Sequence, residues 1–164
     1  MRLDIGCGRT WPEGWEGLDR VDFGQKYICD LERVGEAHPF GNYDCDNVEH
    51  PPIDDNSVEA IHMHNTLEHL TRPAALRVLN ECWRVLRAGG TMEIITPNVL
   101  KGLDLAWADP THLSCWVPGT FTQYFTGNRP RNSSYGIKPW IVLECRNYEE
   151  KEPRDIYCRM SPKK

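Results

Sequence analysis

Long apolar segments are absent from this chain of 164 residues, and no stretch approaches the length of about 18 residues that a membrane-spanning helix requires. The N-terminus also lacks a charged segment followed by an apolar one, because Asp4 and the glycines after it interrupt any such pattern. A hydrophobic fraction of 40% still suffices to build the core of one domain. We therefore expect a soluble, cytoplasmic protein without a membrane partner, folded as a single domain over residues 1–164.

Cysteine pairs at metal-binding or redox spacing are also missing. The seven cysteines are scattered, odd in number, and never arranged as a Cys-x-x-Cys motif. This pattern indicates reduced thiols in the cytosol rather than a disulfide framework. His62, His64 and His69 lie close together along the chain, but their spacing matches no standard set of zinc ligands. We therefore predict that the protein has no metal site.

An excess of positive charge is missing as well, since the formal net charge is −5. Residues 1–127 carry 10 basic and 19 acidic side chains, whereas residues 128–164 carry 9 basic and 5 acidic ones. An acidic chain repels phosphate backbones at long range, so non-specific binding of nucleic acid is disfavoured. We interpret the basic C-terminal part as a solvated surface, with a local basic face for an anionic substrate as the alternative.

The most informative feature that the sequence does contain is a glycine turn directly after a short apolar strand. The strand covers residues 2–5, and Gly6-Cys7-Gly8 follows at once. Because glycine has no Cβ, the backbone can approach a ligand closely and turn its N–H groups toward a carboxylate or phosphate. The turn therefore predicts a site for a bound small molecule.

Strands and helices alternate along the rest of the chain. Apolar residues at helical spacing, with Thr71 as a cap and Pro73 in the first turn, predict a long helix that Gly89-Gly90 ends. Only eight residues follow the glycine turn before Gly17, too few for a full crossover helix, so we expect the first helix to be missing or stunted. The predicted elements are parallel strands over residues 2–5, 15–19, 26–30, 58–63 and 91–96, a partly helical cap over residues 100–139, and an antiparallel pair over residues 141–145 and 156–160.

This order of elements predicts an α/β fold with a parallel sheet, and such sheets bind ligands beyond the carboxyl ends of their strands. The dinucleotide fingerprint is incomplete, because Trp11 stands where a third glycine is required. Asp19 ends the second strand, where its carboxylate can accept both hydroxyls of a ribose. Asp30 follows the third strand and can accept from an adenine amino group. The pattern thus favours a nucleoside ligand over a dinucleotide.

Five ordered segments resemble the successive motifs of class I S-adenosylmethionine-dependent methyltransferases, over residues 2 to about 97. They are Leu3-Asp4-Ile5-Gly6-Cys7-Gly8, Gly17-Leu18-Asp19, Asp54-Asp55-Asn56-Ser57-Val58, Asn65-Thr66-Leu67-Glu68-His69-Leu70 and Leu86-Arg87-Ala88-Gly89-Gly90. The chain is most similar to the small subgroup with an abbreviated first helix, in which Asp-Pro-Thr-His follows strand five, as residues 109–112 do here.

The resemblance implies a Rossmann-like methyltransferase fold, with a mostly parallel sheet and a C-terminal antiparallel pair. Residues 1–97 would form the cofactor half, residues 100–139 a cap and substrate segment, and residues 140–160 the terminal strands. The helices that usually precede strand one are absent from the sequence as given. Cover for the site is therefore expected from residues 31–57, from the cap, or from a second copy in a homo-oligomer.

The resemblance also implies which residues hold the cofactor, S-adenosylmethionine. The glycine turn would hold its methionine part, Asp19 its ribose, and the residues after strand four would pass close to the sulfonium. The acid that contacts adenine is either Asp30 or Asp46, and Asp30 is preferred because apolar residues precede it as in a strand. The predicted cofactor-binding residues are Asp4, Gly6, Cys7, Gly8, Asp19, Asp30, His64 and Asn65.

The implied reaction is an in-line displacement of the sulfonium methyl by an unidentified acceptor. Positioning of the two reactants and exclusion of water can supply most of the acceleration, so no catalytic side chain is strictly required. If the acceptor must lose a proton, His112 is the best general-base candidate, and Asp109 is the substrate-site residue that could orient it. A packing role for His112 and a capping role for Asp109 are the structural alternatives. Two other functions stay open, a degenerate fold serving as a scaffold and a nicotinamide- or nucleotide-dependent enzyme.

Overall fold

A seven-stranded mixed sheet organises the chain, whose computed structural model describes residues 1–35, 39–40, 52–127, 134–148 and 154–164. The strands are β1 Arg2–Ile5, β2 Glu16–Asp19, β3 Tyr27–Ile28, β4 Val58–His64, β5 Leu86–Pro97, β6 Trp140–Tyr148 and β7 Asp155–Pro162. The α-helices are α1 Arg72–Val85, α2 Leu103–Ala106 and α3 Pro118–Thr120, and 3₁₀ or π turns cover Leu31–Arg33, Leu67–His69 and Phe121–Phe125. The helices described include none that is long and apolar enough to cross a membrane.

The strand order is β3-β2-β1-β4-β5-β7-β6. The first five strands are parallel neighbours, whereas β7 runs antiparallel to both β5 and β6. The predicted α/β class, with a mostly parallel sheet and a C-terminal antiparallel pair, is confirmed. The chain changes direction across the sheet at β1, which lies between β2 and β4, and ligands bind beyond the carboxyl ends of strands at such a switch point.

The connection from β1 to β2 contains no helix, as predicted, and all of its residues are described. Trp15 lies over the sheet instead, with its ring stacked on His62 at a centroid distance of 3.8 Å. Asp4, His62 and Glu93 are register neighbours on β1, β4 and β5, and all three are half-buried. Parallel sheets usually bury both faces. Here the missing helix leaves one face with a row of polar side chains.

Helix α1 supplies much of the apolar core. It begins after Thr71 with Pro73 in its first turn, as the sequence predicts. Its fully buried residues are Ala74, Ala75, Val78, Leu79, Cys82 and Val85, and they belong to one core with Leu3, Ile5, Ile61 and Met63 of β1 and β4. Apolar side chains at helical spacing therefore form the buried stripe of the helix.

The C-terminal end of α1 differs from the prediction. The helix ends at Val85, and Leu86 already belongs to β5, where it pairs with Val58 of β4. Gly89 and Gly90 lie inside this strand, and Gly89 has a φ of +74°. The prediction that these glycines end the helix was wrong, because pairing with β4 fixes the residues before them as a strand.

The segments on either side of the sheet are short and irregular. Strand β3 covers only two residues, and the 3₁₀ turn Leu31–Arg33 follows it directly. The segment between the end of β5 and the start of β6 contains α2, α3 and the π turn. Trp116 and Phe121 of this segment are stacked and buried in the core, so this segment packs against the sheet.

Candidate functional site

A cavity of about 500 Å³ lies beyond the carboxyl ends of β1, β2, β3 and β4, at the switch point of the sheet. The segments that follow these strands provide most of its wall, and residues after β5 complete it. The lining residues are Gly6, Asp19, Arg20, Asp30, Leu31, Glu32, Asn65, Thr66, His69, Leu70, Thr111 and Leu113. Four residues predicted to bind the cofactor therefore line one cavity, although they come from distant parts of the sequence.

The N–H groups of the glycine turn are directed within the protein. Those of Gly6 and Cys7 donate to the carbonyl oxygen of Leu18 at 2.7 and 3.3 Å, and that of Gly8 donates to the Asp19 carboxylate at 2.9 Å. The expectation that the turn presents these donors to a ligand was wrong, because the neighbouring strand β2 supplies the acceptors.

Gly6 allows a close backbone contact at the base of the cavity. It has a φ of +69°, and a Cβ at this position would lie 2.2 Å from Oγ1 of Thr66. The hydroxyl of Thr66 donates to a carbonyl at the end of β1 or β4, with distances of 3.2 Å to the Ile5 oxygen and 3.0 Å to the His64 oxygen. The bond to Ile5 links the turn after β4, to which Thr66 belongs, to the end of β1.

Asn65 has an uncommon backbone conformation at this edge. Its φ is +49°, a region that non-glycine residues seldom adopt, and its N–H donates to the carbonyl of Ile95 at 2.8 Å. The residue lines the cavity directly after β4. Such strained positions are held by surrounding structure and cluster at functional sites.

Asp19 and Asp30 are the two acids that line the cavity from the ends of β2 and β3. The Asp19 oxygens accept from the N–H groups of Gly8 and Val21, at 2.9 and 3.1 Å. Asp30 caps the 3₁₀ turn and accepts from the Glu32 N–H at 3.2 Å. Because each carboxylate oxygen has two acceptor positions, both acids keep the capacity to accept from a ligand. The alternative adenine residue, Asp46, lies outside the described residues.

Six predicted site residues do not line the cavity: Asp4, Cys7, Gly8, His64, Asp109 and His112. Burial raises the pKa of the Asp4 carboxyl to about 6. Burial, followed by the charges of Asp19 and Asp4, raises the pKa of the Cys7 thiol to about 11, so this thiol is neutral near pH 7. Burial also lowers the pKa of His64, whose ring stacks on His62 at 5.0 Å.

His112 lies behind the wall of the cavity. Its Nδ1 is 2.6 Å from the carbonyl oxygen of Ala106, and its Nε2 is 3.9 Å from a carboxylate oxygen of Asp109. The other Asp109 oxygen accepts from the N–H and hydroxyl of Thr111, at 2.8 and 2.6 Å. His69 lines the cavity and contacts His112, and the two rings meet edge to face with centroids 4.8 Å apart.

His69 and Thr111 line the cavity, although neither is predicted from the sequence as a site residue. The N–H groups of Leu113 and Ser114 donate to the carbonyl oxygen of Glu68, at 2.8 and 3.0 Å. These two bonds join the cap to the turn after β4 across a long separation in sequence. No local pattern in the sequence could have indicated this contact.

Comparisons with known proteins agree with the fold. The model of the methyltransferase domain family matches residues 3–94. A relative from Mycolicibacterium smegmatis, named "Probable S-adenosylmethionine-dependent methyltransferase", is 33% identical in an alignment of 103 residues that covers 58% of this chain. The match spans only 37% of that relative's length.

Two solved structures illustrate the structural likeness. A SAM dependent methyltransferase from Archaeoglobus fulgidus is 15% identical, with a TM-score of 0.61 over 98% of this chain and 85% of that one. The 1,6-didemethyltoxoflavin-N1-methyltransferase of Burkholderia thailandensis, solved with bound 1,6-didemethyltoxoflavin and S-adenosylhomocysteine, is 10% identical, with a TM-score of 0.58 over 99% of this chain and 71% of that one. By its family match and its fold, the chain belongs to the class I S-adenosylmethionine-dependent methyltransferases.

Proposed function

We propose that this chain transfers a methyl group from S-adenosylmethionine to an acceptor, using the cavity at the switch point as the cofactor site. The observation that carries this proposal is the convergence of Gly6, Asp19, Asp30 and Asn65 on one cavity. Gly6, Asp19 and Asn65 come from three separate motifs of the family, and Asp30 follows the third strand. A cavity of about 500 Å³ is within the range typical of small-molecule sites.

Within this site, each end of the cofactor has a proposed partner. Asp19 would accept the ribose hydroxyls through acceptor positions that its two backbone bonds leave unused. Asp30 would accept from the adenine amino group, next to the apolar side chain of Leu31. Asn65 lies directly after β4, where the sulfonium would pass.

The remaining cofactor assignments concern residues next to the cavity. The turn Gly6-Cys7-Gly8 would shape the place of the methionine part rather than donate to it, because its N–H groups already have acceptors. Asp4 and His64 would act from the sheet behind the turn, through the electrostatic field of a carboxylate and a neutral imidazole.

The methyl transfer itself requires few side chains. A lone pair of the acceptor forms the bond to the methyl carbon, and the electrons of the breaking C–S bond remain on sulfur, which gives S-adenosylhomocysteine. Where the acceptor also loses a proton, we assign that proton to Nε2 of His112, whose Nδ1 already donates to the Ala106 carbonyl. The Asp109 carboxylate, 3.9 Å from Nε2, would stabilise the resulting imidazolium. Motion of His69 would be needed to open a path between His112 and the cavity.

The cellular compartment, the cap and the oligomeric state are part of the same proposal. The described cysteines form no disulfide with one another, which supports a reducing compartment such as the cytoplasm. The segment after β5 supplies Thr111 and Leu113 to the cavity wall and would act as the cap over residues 100–139. A second copy of the chain, packed on the polar face of the sheet, would form the proposed homo-oligomer.

Thermal unfolding in the presence of ligands tests the proposal. At 100 times its dissociation constant, S-adenosylmethionine or S-adenosylhomocysteine should stabilise the chain by about 2.7 kcal/mol, and NAD should have no effect. Asp19→Asn should abolish the shift, whereas Asp104→Asn, an exposed acid on α2, should preserve it. A shift with NAD alone would favour a nicotinamide enzyme. Incubation of cell extracts with methyl-labelled cofactor then separates an active enzyme, which labels an acceptor, from a scaffold, which labels none.

A further inference from the structure

Two histidines and a glutamate meet beside the cofactor cavity. Glu68 and His69 belong to the 3₁₀ turn after β4, and His112 belongs to the segment after α2. One ligand atom from each of the three residues lies within 4.8 Å of the other two. The backbone bonds from Leu113 and Ser114 to the Glu68 carbonyl hold the two segments at this separation.

The hydrogen bonds around His112 determine which of its nitrogens carries the proton. Its Nδ1 lies 2.6 Å from the carbonyl oxygen of Ala106, which can only accept. Nδ1 must therefore be the donor, and in the neutral ring Nε2 keeps its lone pair. Histidine ligands of metal ions are commonly oriented in this way, by a carbonyl or carboxylate that accepts from the other nitrogen.

A chain of hydrogen bonds determines the tautomer of His69 as well. The hydroxyl of Thr111 lies 2.6 Å from an Asp109 carboxylate oxygen and 3.0 Å from Nδ1 of His69. The carboxylate accepts the single hydroxyl proton, so the hydroxyl oxygen must accept from Nδ1–H. His69, like His112, therefore keeps the lone pair of Nε2 for another partner.

Glu68 adds a buried carboxyl group to this cluster. The residue is only 2% exposed, and the hydroxyl of Thr96 donates to one of its carboxylate oxygens at 3.0 Å. Within the described part of the chain, no lysine or arginine forms an ion pair with it. Buried carboxylates normally have a cationic partner or coordinate a metal.

We propose that Glu68, His69 and His112 bind a divalent transition-metal ion of the zinc class. Two imidazoles and one carboxylate form a ligand set that zinc accepts, and three protein ligands leave a fourth position open. Ligand atoms around a tetrahedral zinc ion are about 3.4 Å apart. Side-chain movements of about 1 Å would therefore bring the three ligand atoms to this spacing. This cluster would overturn the sequence prediction of no metal, because its third ligand comes from a distant segment.

The role of the ion in catalysis rests on the proposed function, whereas its binding does not. The open position would face the side on which His69 and Thr111 line the cavity. An acceptor hydroxyl or amine bound there would lose its proton to solvent water more readily, because the ion lowers its pKa. In the metal-loaded chain Nε2 of His112 would be a ligand, and it would act as the base only in the metal-free chain.

Titration of the untagged chain with Co²⁺ tests the site. Wild type should bind one equivalent, develop visible d–d absorption without a thiolate charge-transfer band, and release Co²⁺ to Zn²⁺. Glu68→Gln, His69→Gln and His112→Gln should each weaken binding by more than about tenfold. His62→Gln, a histidine outside the cluster, should bind like wild type. Absence of saturable binding by wild type, or unchanged affinity in His112→Gln, would overturn the proposal.

Thr111 provides a test that does not remove a ligand. Thr111→Ala removes the acceptor of His69 Nδ1–H and should weaken Co²⁺ binding by about tenfold, while Thr111→Ser should restore it. Far-UV circular dichroism confirms that each variant is folded. Because Co²⁺ binding is measured without S-adenosylmethionine, the metal site and the methyltransferase function can fail independently of each other.

Discussion

Gly6 and Gly8 have similar backbone conformations but different surroundings, with φ angles of +69° and +57°. A Cβ on Gly6 would lie 2.2 Å from Oγ1 of Thr66, whereas a Cβ on Gly8 would meet nothing within 4 Å. Gly8 is thus required by its backbone conformation alone, whereas Gly6 is required by its backbone conformation and also by its packing against Thr66. The substitution of each by alanine separates the two effects.

We expect Gly8→Ala to lower the free energy of unfolding by about 1–2 kcal/mol, the cost of a left-handed conformation. Gly6→Ala should cost about 1–3 kcal/mol more, because Thr66 must move from its position between β1 and β4. Urea unfolding of the two variants and wild type gives the comparison. Equal losses would show that the contact with Thr66 adjusts freely and does not constrain Gly6.

Asp4 makes the stability of the protein depend on pH. Burial raises its pKa to about 6 in the folded chain, compared with about 3.9 for an unperturbed aspartate. The folded state therefore binds more protons than the unfolded state between about pH 4 and 6. Through Asp4, the free energy of unfolding falls as the pH rises across this window and stays lower above it.

Asp4→Asn should therefore stabilise the protein at pH 8 by about 1 kcal/mol, since partial exposure screens the cost of the charge. The difference from wild type should diminish toward pH 4. Urea unfolding at both pH values measures it, and Asp104→Asn, an exposed acid on α2, should show no such pattern. If Asp4 also serves the cofactor, the more stable variant binds S-adenosylmethionine more weakly. An equal stabilisation by Asp4→Asn at pH 4 and pH 8 would contradict the raised pKa of Asp4 in the folded chain.

At the scale of elements, the N-terminus of α1 illustrates how a correct boundary can have an unexpected cause. Thr71 is the residue before the helix, but its side chain makes no capping bond within the helix. Instead, its N–H and hydroxyl donate to the two carboxylate oxygens of Glu32, at 2.6 and 2.8 Å. Glu32 also lines the cavity, so the start of α1 and the wall of the site are joined.

Elements defined by local patterns were predictable from the sequence. Periodic apolar residues located α1, and the short spacing before Gly17 excluded a first helix. The end of α1 was not predictable, because pairing of Leu86 with Val58 in the sheet determines it. The proximity of His69 and His112 was not predictable either, because hydrogen bonds between two segments that are distant in sequence create it.

At the scale of the whole molecule, the terminal strands are continuous with the half that contains the cavity. Strand β7 pairs with β5 from Met92 to Pro97, along the strand that also borders β4. Ile156 of β7 is fully buried in the same core as Leu3 of β1. Residues 1–97 would lose both this neighbour strand and part of their core without the C-terminal pair.

Two substitutions on these terminal strands test whether the chain unfolds as one unit. Ile156→Ala should lower the free energy of unfolding by about 2–5 kcal/mol, whereas Ile141→Ala, at a position 49% exposed, should cost less than about 0.5 kcal/mol. In one cooperative unit, Ile156→Ala must accelerate amide hydrogen exchange in β1 and β7 by the same factor, because both open through global unfolding. Faster exchange confined to β6 and β7 would instead make the terminal pair a separately unfolding segment, and the cavity would then depend on the first five strands alone.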